Sequence, residues 1–567
     1  MASIVGKRQG NKTYYYLVES ARVGGKPRIV SQRYLGPAEE VIARLEGTAA
    51  GDPDRSRHLS FGDLAAVWSM LERMRVAEIV DEVVGQRRSD AAASVGTYIA
   101  LAVANRIVDP RSKQGFAEWW HKTAGDRWVR LPASALDHRR FWDAMELIST
   151  EQLVEIERRI VAHVISEFSV GLSGLVLDMT NFATYIDSAN ARAPIAQRGH
   201  AKQKRNDLRL VGLGLVVAVD GGLPLVSHPY PGDKPDVTQF PDMIKELAER
   251  FAGLCDDDAE EETSELTLVF DAGQNSQDNV GLFEGSPFHF VGSLPPSDHP
   301  DLLAVPKSRY RSVDRHRLPG VRAFEARKVV FGAQRRIVVT HSDGLHHKQS
   351  QSFDQTLAKA HRQLSEVAAR LGRGKTRKPR EKVEAEIAEI LGPRWLSRVI
   401  STTLSGDQPA ELRLIWRTKP KARADLEEEV FGKRILFTDK DKNLASTAQV
   451  VIEYRSQEEA ESDFRQMKDP KVVSFSPMYH FTDHKIRVHV FYCVLALMAA
   501  RLMVREADHA GLHLSVRKLL ETLSGIEETV LLYQGERGRP RARRMLTETD
   551  PTQQRLYDLF GLDKFAP

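Results

Sequence analysis

Hydrophobic and polar residues change their spacing several times along the chain, and each change predicts a different kind of structure. Residues 1–50 contain three short strand-like runs separated by polar and glycine turns, which predict a small basic β-meander. Residues 51–170 carry apolar side chains at helical spacing, which predicts a helical domain. At residue 174 the pattern changes again, and GLVLDMTNF is typical of a buried strand.

The segment 171–299 alternates strands and helices in an order that predicts one mixed sheet. After the first strand, LRLVGLGLVVAVD and GLPLVSHPY predict a hairpin that turns at Asp220-Gly221-Gly222. A helix capped by Asp236-x-x-Gln239, the strand LTLVFD, a further helix and the strand FHFVGSLP follow. Three hairpin-linked strands, then a helix and another strand, are the order of an RNase H-like core. The predicted fold class is therefore α/β, with an RNase H-like mixed-sheet core.

A strand-rich insertion is predicted to split this core. Residues 300–445 contain strand-like pieces around a long charged helix near 352–390, which predicts an inserted β-rich subdomain. Residues 446–510 then resume the core with a charged helix and an apolar helix. The last segment, 511–567, is a C-terminal region with a basic cluster.

Composition excludes several classes of protein. Of the 567 residues, 42% are hydrophobic and 28% are charged, which excludes a disordered or collagen-like chain. The formal net charge is only +4, so a nucleic-acid partner has to be recognised by local basic patches. Cys255 and Cys493 are too few for a disulfide framework or a cysteine zinc site, which fits a reducing compartment.

Two absences in the sequence limit the cofactors and partners. The longest apolar run, Val490 to Ala500, is too short at about 1.5 Å per residue to cross a bilayer, so no membrane association is expected. The sequence contains no G-x-x-x-x-G-K-[ST] loop, so no nucleotide cofactor is expected. These features predict a cytoplasmic protein.

Two aspartates stand out because they are the charged residues of otherwise apolar strands. Asp178 lies inside the first core strand, and Asp271 ends a later strand just before a flexible Ala-Gly-Gln-Asn run. A buried carboxylate without a partner is costly, so each one requires a cation, a donor or water. Either aspartate alone fits a residue that caps a turn. Together, on neighbouring strands, they predict hard oxygen ligands for Mg²⁺.

A third acid is expected from the segment YRSQEEAESDFRQMK. On a helical wheel Ala460, Phe464 and Met467 form an apolar stripe. One flank of the stripe carries a single polar ridge, formed by Tyr454, Gln457, Glu461 and Lys468. Asp463 borders the opposite flank and is the second choice of acid. Glu461 is preferred because a cation and two hydrogen-bonding groups share its flank. An ordinary amphipathic surface helix would show the same wheel.

This segment resembles the Y-x2-R-x3-E-x6-K signature of DDE transposases in the insertion sequence family 4 superfamily. Tyr454, Glu461 and Lys468 occupy the matching positions, whereas Gln457 stands where the signature has arginine. That departure removes one phosphate-binding cation. Asp178 and Asp271 match the first two catalytic acids of the family, and a strand-rich insertion before the glutamate is similar to that of some members. The likeness spans roughly residues 174–503.

The resemblance implies cut-and-paste transposition in a bacterial host, in which transposon ends are cleaved and the freed 3′-hydroxyl attacks target DNA. It implies Asp178, Asp271 and Glu461 as both catalytic residues and metal ligands, with two Mg²⁺ ions for which Mn²⁺ can substitute. Asp178 would bridge both ions, Asp271 would hold one and Glu461 the other. Double-stranded DNA, from the transposon ends and the target, is the implied partner. A homodimer on DNA is implied as well.

The DNA contacts are predicted from basic, aromatic and amide side chains in three regions. Those on the signature segment are Tyr454, Gln457, Arg465 and Lys468. Those elsewhere are Lys7 and Arg8 in the meander and Lys375, Arg377 and Lys378 in the insertion. A solvated hairpin and a solvated basic loop are the respective alternatives.

Two other functions agree with the same sequence. A non-catalytic DNA-binding relative would keep the core and the basic surfaces, and Gln457 leaves room for that reading. A general RNase H-like nuclease would cleave DNA without preference for particular ends. The three intact acids favour the transposase.

Overall fold

The structure is a computed structural model. It describes residues 2–10, 12–23, 26–45, 53–85, 91–200, 207–255, 266–286, 288–375, 377–533 and 541–567. The strands are β1 (Ala2–Gln9), β2 (Lys12–Val23), β3 (Lys26–Pro37), β4 (Arg55–Ser60), β5 (Gly174–Thr184), β6 (Arg209–Ala218), β7 (Leu223–Pro231), β8 (Leu266–Phe270), β9 (Phe288–Leu294), β10 (Arg311–Ser312), β11 (Val321–Val330), β12 (Ala333–Ser342), β13 (Ile400–Ser405), β14 (Arg413–Thr418), β15 (Lys433–Thr438), β16 (Glu527–Tyr533) and β17 (Arg541–Leu546).

The helices are α1 (Ala38–Leu45), α2 (Gly62–Arg73), α3 (Val76–Val84), α4 (Val95–Val108), α5 (Phe116–Trp120), α6 (His138–Glu146), α7 (Thr150–Phe168), α8 (Phe240–Cys255), α9 (Gln277–Gly281), α10 (Pro300–Leu303), α11 (Asp343–Gly372), α12 (Arg380–Leu391), α13 (Leu396–Val399), α14 (Pro420–Val430), α15 (Thr447–Arg455), α16 (Gln457–Lys468), α17 (Asp483–His509), α18 (Val516–Ser524) and α19 (Pro551–Leu559).

The chain divides into two compact units that do not follow the order of the sequence. One unit comprises residues 1–72, 113–141 and 503–567, and the other comprises 73–112 and 142–502. The predicted helical domain 51–170 is therefore shared between the units, because long-range packing and not chain order determines which helices associate. The finer division into six domains stays a prediction.

The first unit contains two small antiparallel sheets. The predicted meander is present as β1-β2-β3, with every strand antiparallel to its neighbour. The second sheet has the order β17-β16-β4, in which Arg55–Ser60 pairs with a strand near the C-terminus. No strand was predicted at 55–60, because six mostly polar residues give no periodic signal and their partner lies far along the sequence. The basic cluster predicted in the C-terminal region 511–567 lies partly outside the described residues.

The second unit is built on a nine-stranded mixed sheet, and this confirms the predicted α/β class. The strand order is β10-β11-β12-β15-β9-β8-β5-β6-β7. β5, β6 and β7 are successive antiparallel neighbours, while β5, β8 and β9 are parallel. Every residue of β6 and β8 is buried, which is expected of strands covered on both faces.

Glycines allow the tight turn and the close packing of the β6–β7 hairpin. Gly221 and Gly222 both have positive φ, at 78° and 65°, in the turn that the sequence predicted. Within β6, a Cβ atom added to Gly214 would lie 2.3 Å from the Met243 sulfur atom on α8. Glycine at this position therefore lets α8 pack directly on the strand.

The strands of residues 300–445 mostly extend the main sheet. β10, β11, β12 and β15 continue it beyond β9, whereas β13 and β14 form a separate hairpin. The predicted limits at 300 and 445 therefore do not coincide with a limit of the sheet, because β15 pairs directly with β9. The long charged helix predicted near 352–390 is two helices, α11 and α12, and Lys375, Arg377 and Lys378 lie between them.

Helix α17 is long and apolar enough to span a membrane by length and composition alone. Its most apolar window is, however, 94% buried inside the protein. That burial is typical of a core helix and agrees with the prediction of a buried helix at this position.

Glu325 provides a testable link between strands β11 and β12. Its carboxylate is 2.8 Å from both the Arg336 guanidinium and the Lys442 amine and also accepts a bond from Thr447. Burial alone would raise the pKa of Glu325, but these three donors outweigh it and lower the pKa to about 2. Because the folded pKa lies below the ordinary value of 4.5, the stabilisation is complete above that value and is lost as the pH falls towards 2.

We expect Glu325→Gln to lower the free energy of unfolding at pH 7 by about 3 kcal/mol, the equivalent of the pKa shift. At pH 3.5 the deficit should be smaller, because the wild-type carboxylate has then lost part of its advantage. Urea unfolding at the two pH values measures both quantities. Glu384→Gln, at an exposed helical ion pair, is the control and should change little. A pH-independent deficit would contradict the electrostatic explanation.

Candidate active site

The site begins with the parallel pairing of β5 and β8. Their register pairs Leu177 with Phe270, so the next residues of the two chains, Asp178 and Asp271, lie side by side. Neighbouring strands are about 4.8 Å apart, which brings the two carboxylates to the same edge of the sheet. Asp178 is half-buried and Asp271 is exposed, so both can be reached from solvent. The interpretation of the two aspartates as metal ligands required them to lie on neighbouring strands, as they do here.

Asp271 is held by donors from two other elements. The Ser293 hydroxyl on β9 donates to its Oδ1 at 2.8 Å, and the Tyr454 hydroxyl on α15 donates to the same atom at 3.4 Å. Burial, followed by the negative charge of Asp271, raises the pKa of Tyr454 to about 12. Tyr454 therefore remains protonated at neutral pH and can act as a hydrogen-bond donor beside the acid.

Lys468, the last residue of the signature, reaches the strand that carries the first acid. Its Nζ atom donates to the Thr180 hydroxyl at 2.6 Å and lies 5.5 Å from the centre of the Phe182 ring. Thr180 follows Asp178 by two residues, and residues two apart share a face of a strand. The lysine and the first acid thus belong to the same face of β5.

Glu461 has a different environment. It is exposed on α16 and lines a cavity of about 480 Å³ together with Tyr454, Gln457 and Glu458. Among the described residues, no group of three or more His, Cys, Asp or Glu side chains is placed to hold a metal ion. The structure therefore brings Asp178 and Asp271 together but does not gather Glu461 with them.

The predicted two-ion metal site, with Asp178, Asp271 and Glu461 as ligands, stays a prediction. Mg²⁺ in enzymes is commonly bound by one or two carboxylates, with waters and substrate phosphates as the other ligands. The aspartate pair fits one such ion. Among the described residues, Glu461 is not grouped with the pair into a set of three carboxylates. The physical reason is the packing of α16, which buries Ala460, Phe464 and Met467 and turns Glu461 towards the cavity. A helical wheel gives the flank of a residue but not what that flank faces.

The remaining predicted contacts on α16 differ in exposure. Gln457 is only 7% exposed and lines the cavity. Arg465 is exposed, and its Nε atom donates to the Glu461 carbonyl at 3.4 Å. Arg465 is therefore available to a partner, and Gln457 is accessible only through the cavity.

The predicted contacts in the meander and in the insertion are all on the surface. In the meander, Arg8 is exposed, while Lys7 donates to Gln32 at 3.0 Å and lies 5.0 Å from the Tyr16 ring centre. In the turn between α11 and α12 the predicted residues are all exposed: Lys375, Arg377 and Lys378. Lys378 is paired with Glu386 at 3.2 Å. Their role in DNA binding stays a prediction.

Three cations of the cavity were missed by the sequence analysis. Lys348 on α11, Arg434 on β15 and Arg455 at the end of α15 line it beside Glu461. Arg434 lies with its guanidinium 5.5 Å from the centre of the Tyr454 ring. Arg455 lies within the signature segment, next to Tyr454, whereas Lys348 and Arg434 are distant from it in sequence. The others could not be predicted, because strand pairing across the insertion brings them to the site.

Asp463, the second choice of acid, has a structural role. Its side chain is fully buried and accepts a bond from Arg501 Nε at 2.5 Å. Arg501 also lies 3.3 Å from Glu459. Burial raises the pKa of Asp463 to about 7, against the opposing effect of Arg501. Since the folded pKa exceeds the ordinary value of 3.8, the contribution of Asp463 to stability declines as the pH rises from about 4 to about 7.

We expect Arg501→Met to lower the free energy of unfolding by about 3–5 kcal/mol at pH 8, because it leaves the buried Asp463 carboxylate without its cation. The loss should be smaller at pH 5, where Asp463 is protonated. Adding Asp463→Asn should recover part of it, since a neutral amide costs less to bury. Denaturant unfolding provides the measurement, with Arg417→Met at an exposed strand position as the control. Equal losses in the single and double variants would argue against this pairing.

Comparisons with known proteins give little further information. No family model matches the sequence, and no curated protein matches it. Among solved structures, the chain is similar to that in a cryo-electron microscopy structure of the piggyBac transposase synaptic complex with hairpin DNA. The two chains are 10% identical and have a TM-score of 0.36, and the match covers 83% of this chain and 82% of that chain. A likeness this weak carries no functional argument, so membership of the insertion sequence family 4 superfamily stays a prediction.

Proposed function

We propose that this chain is a DDE-type transposase that cleaves DNA at transposon ends and joins those ends to target DNA. The proposal includes an RNase H-like core formed by β5 to β9. Its support is the strand pattern, in which a three-stranded antiparallel meander is followed by two strands parallel to β5. The superfamily is proposed from the signature segment.

One observation carries the proposal. The β5–β8 register sets Asp178 beside Asp271, and two signature residues reach this pair. Tyr454 bonds to Asp271, and Lys468 bonds to Thr180 on the strand of Asp178. Residues from three separate parts of the chain thus converge on one edge of the sheet. If α15 and α16 were ordinary surface helices, nothing would require the tyrosine of α15 and the lysine of α16 to make these contacts.

The residues have distinct proposed roles in phosphoryl transfer. Asp178 and Asp271 would hold a divalent ion, Mg²⁺ or Mn²⁺, which supplies Lewis-acid stabilisation to a phosphate when bound. Lys468 presents a positive charge to the phosphate backbone. Tyr454, protonated at neutral pH, orients Asp271. Glu461 remains the proposed third catalytic acid.

A second function is supported by a specific observation. Glu461 does not join the aspartates, and Gln457 replaces the arginine of the signature. Both features agree with a non-catalytic DNA-binding relative. A general nuclease is the third candidate and differs by cleaving unrelated DNA equally well.

We expect Asp178→Asn and Asp271→Asn each to reduce cleavage by at least about 100-fold while leaving DNA binding within a few-fold, because charge is lost at the reacting phosphate but the basic contacts remain. The assay uses duplexes of the DNA that flanks the gene, with Mg²⁺ and with Mn²⁺. Asp278→Asn, an exposed aspartate on α9, is the matched control and should cleave normally.

Unmodified protein that binds these duplexes without nicking them would support the non-catalytic candidate. Equal cleavage of unrelated duplexes would support the nuclease. Cleavage that survives both asparagine substitutions would remove the aspartate pair from the mechanism.

Glu461→Gln gives a separate prediction about the third acid. If α16 moves Glu461 to the aspartates when DNA is bound, the variant should lose cleavage by a similar factor and keep its affinity for DNA. Glu458→Gln, on the same helix and the same cavity, is the matched control and should retain cleavage. Normal cleavage by Glu461→Gln would leave Asp178 and Asp271 as the only catalytic acids.

A further inference from the structure

The cavity beside α16 carries an excess of available positive charge. Lys348, Arg434 and Arg455 line it and are exposed, and within the described part of the chain none of the three forms an ion pair. The acids on its wall are Glu458 and Glu461, which are also exposed. Three cations against two carboxylates, with no pairing between them, leave the cations free to bind an anion.

The position of Arg434 is more closely defined than that of the other two cations. It lies on β15, which pairs with β12 on one side and β9 on the other, so its backbone is fixed inside the main sheet. Its guanidinium lies against the ring of Tyr454, where a cation–π interaction restricts it. Lys348 and Arg455, by contrast, lie on helices at the wall of the cavity.

Tyr454 connects Arg434 to the aspartates. One part of the tyrosine, its ring, contacts Arg434, and another, its hydroxyl, bonds to Asp271. An anion bound by Arg434 would thus lie one side chain away from the acid pair.

We propose that Arg434 binds a phosphate of the DNA strand in this cavity and supplies the positive charge that the signature helix lacks at Gln457. A planar guanidinium suits a phosphodiester because it can donate two parallel hydrogen bonds. Gln457 lines the same cavity, so a positive charge at position 434 or at position 457 would act on the same bound phosphate. The volume of about 480 Å³ lies within the range of about 300–1,000 Å³ of ligand sites. This inference rests on the proposed function, and Arg434 is a positioning residue in it.

The first test measures binding of a fluorescent duplex of the DNA flanking the gene, at several salt concentrations and without divalent metal. Log affinity falls linearly as log salt concentration rises, and removing one phosphate contact should decrease the steepness of this line by about 0.9. We therefore expect this decrease for Arg434→Gln and not for Arg434→Lys, which keeps the charge. Arg417→Gln is the matched control, an exposed strand arginine for which the described residues form no ion pair. An unchanged slope for Arg434→Gln would overturn the proposal.

The second test asks whether the charge can be moved. Adding Gln457→Arg to Arg434→Gln should restore the salt slope and most of the cleavage, because the new guanidinium enters the same cavity. Arg434→Lys should keep the slope but lose part of the cleavage, since an ammonium cannot donate the paired bonds. Thermal unfolding checks that both variant proteins are folded. If they are folded and Gln457→Arg restores neither the salt slope nor the cleavage, the two positions do not share a ligand.

The two proposals fail in distinguishable ways. If the unmodified protein cleaves DNA and Arg434→Gln matches it in slope and cleavage, the Arg434 proposal is wrong and the proposed function stands. If the unmodified protein never cleaves, the proposed catalytic function is wrong, while the salt slopes still decide whether Arg434 contacts phosphate.

Discussion

The pairing of β5 with β8 is the constraint on which the candidate site depends. Parallel strands that are neighbours and in this register place Asp178 and Asp271 at adjacent positions, although 92 residues separate them in sequence. A shift of one residue would turn one aspartate to the opposite face of the sheet. The register is protected because the residues on both sides of it are buried, including Leu177 and Phe270. The same packing therefore stabilises the core and positions the two aspartates.

Buried arginines hold the loops around this core. Arg209 donates to the carbonyls of Ala196, Asn190 and Ala193, and so fixes the segment that follows β5. Arg106 donates to the carbonyl of Ser476, beyond the end of α16. Carbonyl oxygens can satisfy a buried guanidinium without a carboxylate, so these loops are fixed without acids that would compete for a cation.

Local patterns were predicted well, and long-range pairing was not. The sequence located β5, the β6–β7 hairpin and α16, because each has an unbroken hydrophobic period within one element. It could not show that the strands of 300–445 join the main sheet, because hydrophobic periodicity identifies a strand but not the strand with which it pairs. The same limit applies to the site. The aspartates followed from their apolar surroundings, whereas the direction of Glu461 and the presence of Arg434 depend on packing between distant elements.

The continuous sheet has a consequence for how the chain can change in length. β15 lies between β9 and β12, so deleting residues 300–445 as a block would leave β9 without its strand partner on that side. β9 is mostly buried and would become an unpaired apolar edge strand, which favours aggregation. Shortening is tolerable only where strands are not shared, at the β13–β14 hairpin and the turn between α11 and α12. Most strands of residues 300–445 are therefore an integral part of the main sheet, and deletions have to be confined to the hairpin and the turn outside it.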